Sequence, residues 1–292
     1  MIPWQKKGEW LELRLPRVLE SEEGLKEYLS LSDKYLKQLM QTGGVSIKGP
    51  RVRLRLFPNE PINHMHPWAP LEVLYEDHFC LVVQKPPGMK VHGDSAASTN
   101  QAATLADAVA SYYESTGQSC RVRHIHRLDE DTTGPVLYAK HEWPQQILDA
   151  AMREKRIGRQ YAAIVQGRLK QKKGTIDAPI GKDRHHPARR RVSPTGERAV
   201  TQYEVVEQWG EAALVRLQLE TGRTHQIRVH MSYMGHPIWG DQLYGGTTQH
   251  INRQALHGER LGFPHPLTGE QLDIECPWPE DMSSLYDILQ KI

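Results

Sequence analysis

The order of apolar patterns predicts an α+β fold in two unequal units, a small one over residues 1–65 and a larger one over 66–292. Three observations carry this. Strand-like and helix-like segments follow one another without the regular strand–helix–strand alternation that builds a parallel sheet. Composition breaks across residues 61–70, where three prolines and two histidines read as a linker. The length, 292 residues, accommodates one large domain plus a small one.

In the first unit, Leu25, Leu29, Leu36 and Leu39–Met40 recur at helical spacing, with Ser32 as an N-cap between two short helices. Gly43-Gly44 ends the second helix. Residues 45–47 and 52–57 read as strands around a Gly49-Pro50 turn. In the second unit, 71–75 and 79–84 are apolar runs split by Glu76-Asp77-His78, a hairpin closed by Lys85-Pro86-Pro87-Gly88. Thr104 caps an amphipathic helix to Glu114 with Leu105 and Val109 on one face, and Gly117 follows it. Another helix starts near Pro144 and carries Ile147, Leu148, Ala151 and Met152. Residues 161–165 and 212–219 read as strands. In the latter, Ala213, Val215, Leu217 and Leu219 share a face, opposite Leu214, Arg216 and Gln218. Near the C-terminus, Leu256, Leu261, Phe263 and Leu272 read as core strand positions.

A net charge of +2 neither requires nor excludes nucleic acid, so the distribution of charge matters more than its total. Three widely spaced cysteines give no CxxC pair, which fits a reduced cytoplasmic protein without a zinc knuckle or disulfide framework. The N-terminus lacks the apolar core of a signal peptide, and no run is long enough to cross a bilayer. The histidine pairs His124/His126 and His185/His186 have no third ligand at metal-binding spacing. No metal, no cofactor and no membrane partner are expected, and the chain is expected to be monomeric.

The chemistry-bearing residues fall in three motifs and one basic segment. His126-Arg127-Leu128-Asp129-Glu130-Asp131-Thr132-Thr133-Gly134 places Asp129 in a loop rich in donors. There it can act as a nucleophile, a base or a helix cap, while His126 and Arg127 are either site residues or simply solvated charges beside the loop. Tyr161 sits in an apolar strand, either as a packed tyrosine or as a stacking face with a proton-bearing hydroxyl. Thr221-Gly222-Arg223-Thr224-His225-Gln226-Ile227-Arg228 follows a strand that ends at Gly222. Thr224 can cap a helix that runs to Met234 and stops at Gly235 and Pro237. Segment 182–198 holds Lys182, Arg184, Arg189, Arg190, Arg191 and Arg198 against two acids; strands flank it, which favours a phosphate-gripping loop over a merely solvated one. A rival reading takes Asp129-Glu130-Asp131-Thr132-Thr133 as the DxDxT of haloacid-dehalogenase-type phosphotransferases, but that motif follows an apolar strand and residues 121–127 are polar and basic. A catalytically silent RNA-binding protein is a third reading.

HRLDEDTTG, TGRTHQIRVH, the opening LYEDHFCLVVQKPPGMKVH and the closing LHGERLGFPHPLTGEQLDIECPWPEDM together resemble the RluA-type pseudouridine synthases, over residues 71–282. Thr133 stands where that family usually has Ser, which keeps the hydroxyl. The resemblance implies a pseudouridine synthase fold: a central, mostly antiparallel mixed β-sheet flanked by helices and loops. It implies cofactor-free isomerisation of uridine to pseudouridine in structured ribosomal or transfer RNA by base flipping. Asp129 is then the essential carboxylate, Tyr161 packs against the base and Arg228 pairs with Asp129. An arginine within about 4 Å favours the charged carboxylate. Arg127 replaces the flipped base in the helix. His126, Thr132, Ile227 and Arg223 surround the nucleotide, and Lys182, Arg189, Arg190 and Arg191 hold phosphates. Whether Asp129 attacks C1′ or removes the 2′ proton stays open. The helix-helix-strand-strand order of the first unit resembles an S4-type RNA-binding module, with Lys34, Lys37, Lys48, Arg51, Arg53 and Arg55 forming part of its basic signature.

Overall fold

The structure, a computed structural model, describes residues 3–15, 22–62, 70–93 and 103–291. Most of the expected linker, 63–69, therefore lies outside the described residues. The first unit runs β1 (Trp4–Lys7), β2 (Trp10–Arg14), α1 (Glu22–Leu29), α2 (Asp33–Gln41), β3 (Val45–Lys48) and β4 (Arg51–Leu54). The anticipated helix-helix-strand-strand order is present, preceded by two strands that were not anticipated. The four strands form an antiparallel sheet in the order β1-β2-β4-β3. Leu11 and Leu13 pair with Leu54 and Val52, so one pleat face buries all four against Leu25, Leu29, Leu36 and Leu39. The Ser32 hydroxyl accepts the Tyr35 N–H at 3.2 Å, which satisfies one of the unpaired donors at the start of α2.

This small core is not closed on itself. Phe79 and Trp143 from the larger unit are buried within it, and the Trp143 indole N–H donates to the Leu29 carbonyl at 3.1 Å. Truncating either aromatic to Ala removes a contact worth about 3–5 kcal/mol, so the two units share part of their stability.

The larger unit begins with β5 (Glu72–Glu76) and β6 (Cys80–Lys85), continues through α3 (Leu105–Ser115), β7 (Arg123–His124), β8 (Gly134–Ala139) and α4 (Glu142–Arg153), and then enters a long antiparallel region. That region holds β9 (Gly158–Gln166), β10 (Lys173–Asp177), β11 (Ile180–Lys182), β12 (Arg190–Val192), β13 (Val200–Trp209) and β14 (Ala212–Leu219). Helix α5 (Gln226–Tyr233), β15 (Leu256–Pro264), β16 (Gln271–Glu275) and α6 (Glu280–Leu289) complete it. Instead of one central sheet there are two antiparallel ones, β5-β6-β8-β7 and β10-β13-β14-β9-β15-β16. A parallel bridge between Thr133 and His257 joins them. The predicted α+β character and antiparallel pairing hold.

Alternation along β6 explains the layers. Leu81 and Val83 face the cluster that contains Leu105, Val109 and Tyr113 of α3, whereas Cys80 and Val82 face Leu148 and Ala151 of α4. The start of α3 is fixed as expected: Thr104 and Asp107 form a reciprocal capping box. The sheets meet where Gly134, at φ +135, lies against Gly258. A Cβ on Gly134 would fall 2.7 Å from the Gly258 backbone, so the last residue of HRLDEDTTG must be glycine for the sheets to touch. The three cysteines are free and buried. Among the described residues, no helix is long and apolar enough to cross a membrane.

Candidate active site

Asp129 lies in the loop between β7 and β8, and every backbone carbonyl from Asp129 to Asp131 is engaged. The Asp129 carbonyl accepts the Thr132 N–H at 3.1 Å, which makes a tight turn. The Glu130 carbonyl accepts the Met89 N–H at 3.2 Å and the Lys85 ammonium at 2.5 Å. The Asp131 carbonyl accepts from Arg253 at 3.1 Å, and Arg253 is itself gripped by both oxygens of Asp281 at 2.6 and 2.7 Å. Beyond the turn, the Thr132 hydroxyl accepts from Gln254 at 3.2 Å, and the Thr133 carbonyl accepts the Gly258 N–H at 2.8 Å. The turn reading of this loop is realised in its backbone. The backbone makes the turn, and the Asp129 side chain is left to point at Arg228.

Thr133 explains its own departure from Ser. Its hydroxyl meets His257 Nδ1 at 2.8 Å, and His257 Nε2 faces the Cys276 carbonyl at 3.0 Å. Nε2 must therefore carry the proton, and Nδ1 accepts from the hydroxyl. Either Ser or Thr supplies that donor.

Lys85, from the Lys-Pro-Pro-Gly turn, is fully buried and also donates to the carbonyls of Pro86 at 2.8 Å and Met89 at 2.7 Å. Burial pulls its ammonium down to about 8, partly offset by the charges of Asp131 and Asp129. Its three carbonyl partners tie the hairpin end to the Asp129 loop.

Arg228 departs from expectation in an informative way. One terminal nitrogen reaches Asp129 at 3.4 Å, as predicted, but the guanidinium is held by Asp241, with Nε at 2.7 Å and Nη2 at 2.8 Å from its two oxygens. Burial opposes the charge on Arg228, yet the Asp241 carboxylate more than offsets it and raises the arginine above its ordinary value. Asp241 is therefore a positioning residue, and Asp129 takes the nitrogen that is left over. Sequence reasoning missed Asp241. Its signal was a glycine-rich turn: Gly240 adopts φ +83 against the Arg253 carbonyl, and a Cβ on Gly246 would overlap the Ile238 carbonyl. Such close approach fixes the buried acid between them.

The helix start also differs. His225 takes the N-cap position in the left-handed region, φ 58, and makes no side-chain cap bond; Thr224 is not the cap. Gln226 does the work instead. Its Oε1 accepts the Arg223 N–H at 3.0 Å and the Thr221 hydroxyl at 2.8 Å, while its amide donates to Val200 O and Thr201 Oγ1, both at 2.9 Å. A side chain inside the helix thus replaces the cap and pins α5 to β13, so that Arg228 emerges two residues later at a fixed angle.

Asp129, Tyr161, Arg228, Arg127, His126, Thr132, Ile227 and Arg223 all line one cavity of about 390 Å³, within the range that binds small groups. Tyr161, on β9, is buried, and burial raises its phenol above the ordinary value, so it keeps its proton at neutral pH. His126 is buried as well, and burial lowers its imidazole to about 3. Its Nε2 accepts the Leu137 N–H at 3.3 Å, so the neutral ring carries its proton on Nδ1, which has no hydrogen-bond partner among the described residues. Arg127 is exposed at the rim. Arg223 lines the cavity but is tied to Glu197 at 2.5 Å and to the Arg198 carbonyl at 3.1 Å.

The basic segment divides. In place of a plain loop it forms the hairpin β11–β12, and Lys182, Arg190 and Arg191 do not line the cavity. Arg189 lines an adjoining cavity that shares Arg127, Asp129, His225 and Arg228 with the first. Tyr244, unanticipated from sequence, joins hairpin to site. Arg189 and Arg228 lie 5.5 and 5.0 Å from its ring centre, and its hydroxyl accepts the Arg190 N–H and meets His225 Nδ1, each at 2.9 Å. Among the described residues, no group of three or more His, Cys, Asp or Glu side chains is arranged to hold a metal ion.

The cavity thus sets a carboxylate against an anchored arginine, next to a buried aromatic ring and beneath a cationic rim. The chain belongs to the RNA pseudouridylate synthase family, whose profile matches residues 78–233, and its relatives place it among the RluA-type enzymes. It is accordingly an RNA pseudouridine synthase, an isomerase. It is 41% identical over 289 residues, 98% of its own length and 95% of the relative's, to the uncharacterised RNA pseudouridine synthase YhcT of Bacillus subtilis. It is 39% identical over 236 residues, 76% of this chain and 71% of the relative, to the ribosomal large subunit pseudouridine synthase D of Vibrio parahaemolyticus. Human RNA pseudouridylate synthase domain containing 4 superposes with a TM-score of 0.62 at 25% identity, covering 75% of this chain and 93% of that one. The phosphotransferase reading fails with this, since only the two-residue β7 precedes the acidic motif.

Proposed function

We propose that this enzyme converts a single uridine in structured ribosomal RNA, flipped out of its helix, with Asp129 as the catalytic carboxylate. The observation that carries the reading is the Asp129–Arg228 contact at 3.4 Å inside a cavity walled by Tyr161 and Ile227. Extrusion of the nucleotide costs a few kcal/mol, offset by stacking on Tyr161 at about 1–3 kcal/mol and by phosphate contacts at the rim. Arg127, exposed beside Asp129, fills the gap left in the helix. The C1′–N1 bond breaks, the uracil turns within the pocket, and C5 bonds to C1′ as the C5 proton leaves and N1 gains one. Nothing is oxidised or consumed, so no cofactor is required. Asp129 acts at the sugar, either by attack on C1′ or by removal of the 2′ proton; Tyr161 and the His126 Nδ1–H keep the freed base in register.

The choice of ribosomal over transfer RNA rests on the ribosomal large subunit synthases among the relatives, and the buried free cysteines suit the reducing cytoplasm where that RNA is found. The N-terminal unit serves as an S4-like RNA grip, supported by its strand-and-helix order and by basic side chains along β3 and β4. Mapping pseudouridines in total RNA from cells with and without this protein tests the proposal. Loss of a defined ribosomal RNA position is expected. Loss only in transfer RNA would overturn the substrate class, and an unchanged map would overturn the assignment of a ribosomal or transfer RNA target.

A further inference from the structure

We propose that Arg159, assigned no role by the motifs, is the residue that grips a phosphate next to the flipped uridine. The inference rests on the functional reading above and deepens it. Arg159 lies on β9 two positions before Tyr161, so both side chains leave the same face of the strand, about 7 Å apart along it. Both line the cavity that holds Asp129. A second cavity, lined by Gln160, Gln218, Arg260 and Asp273, also includes Arg159, which therefore stands between the two.

The state of its guanidinium is what points to a ligand. Nη1 and Nη2 lie 3.2 and 3.3 Å from where a Cβ would stand on Gly222, so the flat group rests on bare glycine backbone at the start of TGRTHQIRVH. Its Nε is buried without a hydrogen-bond partner, and among the described residues no carboxylate lies within ion-pair distance of Arg159. Several neighbouring cations differ, whereas Arg127 and Arg153, also at this cavity, are exposed to water. Lys155 has Glu220 at 3.5 Å, Arg156 has Glu154 at 2.7 Å, Arg260 has Asp273 at 3.4 Å and Arg223 has Glu197 at 2.5 Å. Arg228 is committed to Asp241. An arginine that served only to stabilise the fold would be matched by one of these acids or would extend into water. A half-buried guanidinium with open donors, held flat at a pocket mouth, instead matches the two-oxygen face of a phosphodiester. With uracil against Tyr161, one of the two phosphates flanking the nucleotide falls at Arg159.

The test pairs protein variants with RNA analogues in single-turnover conversion of the mapped substrate. Each phosphate around the target uridine is replaced in turn by an uncharged methylphosphonate. For the wild-type enzyme, one replacement should weaken substrate capture about ten- to a hundredfold, the scale of one charge-assisted contact. Arg159→Gln should lose the same factor on unmodified RNA, lose nothing further at that position, and lower the salt slope of binding by about one phosphate contact. Such non-additivity marks direct contact, which a fold-stabilising role would not produce. Additive losses at every position, or an unchanged salt slope, would overturn the proposal and would also be the outcome if Arg159 touched a uracil carbonyl. Should Arg159→Gln fail to fold, the uncharged Arg159→Met carries the same cycle, and wild-type indifference to every methylphosphonate refutes the grip outright. A wild-type enzyme that converts no RNA would instead count against the functional reading.

Discussion

Replacing Asp241 by Asn probes the geometry that sequence did not reveal. Arg228 makes three carboxylate contacts, two short ones to Asp241 at 2.7 and 2.8 Å and one longer one to Asp129 at 3.4 Å. Asn keeps one acceptor but sets an amide NH₂ against an arginine N–H, and it removes the charge that offsets burial of the guanidinium. Breaking one side of a buried ion pair costs about 3–5 kcal/mol. Part of that appears as lost stability and part as a displaced Arg228. A shift of about 1 Å in a catalytic group costs roughly a hundredfold in rate. The expected result is a drop of about 3–5 kcal/mol or less in urea unfolding and about a hundredfold drop in kcat, with RNA affinity nearly unchanged. Pseudouridine measured by mass spectrometry of digested RNA, over time courses at saturating enzyme, gives the rate. Wild-type kcat and stability in Asp241→Asn, or a loss confined to RNA affinity, would refute the claim that Asp241 holds Arg228 for Asp129.

Two further outcomes follow, one from Arg228 and one from two buried histidines. Arg228→Lys should also lose about a hundredfold in kcat, because a single ammonium cannot span both oxygens of Asp241 and still reach Asp129; equal turnover would show that only the charge matters. Acid should destabilise the fold early. Burial holds His126 at about 3 and His141 at about 4 in the folded protein, whereas the unfolded chain protonates both rings near the ordinary value of 6.5. Their contribution is complete above that value and is lost as pH falls toward the folded values, by about 2–3 kcal/mol for each ring at about pH 4.5. Urea midpoints at about pH 7 and 4.5 should differ accordingly, and His141→Gln should flatten the difference; an unaltered slope in that variant would count against a buried neutral His141.

The residues that sequence placed well are those whose position follows from local pattern. Thr104 and Ser32 cap their helices because capping depends on neighbours three residues away. Tyr161 faces the site because a strand alternates. Gathering eight expected site residues into one cavity required only that three motif-bearing turns open on the same side of the sheet. What stayed hidden depends on chain crossings. Asp241 and Tyr244 come from a turn whose glycines allow contact with distant backbone, and no period in the sequence encodes that. Lys85 reads as part of a hairpin end, but its role is set by the Glu130 carbonyl, 45 residues away. Thr224 was a good capping residue by type, and it was displaced because Gln226 satisfies the turn from inside the helix while bonding β13. The basic segment was found by charge, yet charge alone did not say which of its arginines face the cavity; stacking on Tyr244 selects Arg189.

The most direct test of the account is conversion by Asp129→Asn. The substitution keeps the size of the side chain and an acceptor for Arg228, and it removes the carboxylate. Single-turnover conversion of the mapped RNA should fall below detection while binding of the same RNA stays within about threefold of wild type, a difference of under about 1 kcal/mol. Pseudouridine formation by Asp129→Asn at a rate near that of the wild type would contradict the central claim that this carboxylate performs the isomerisation.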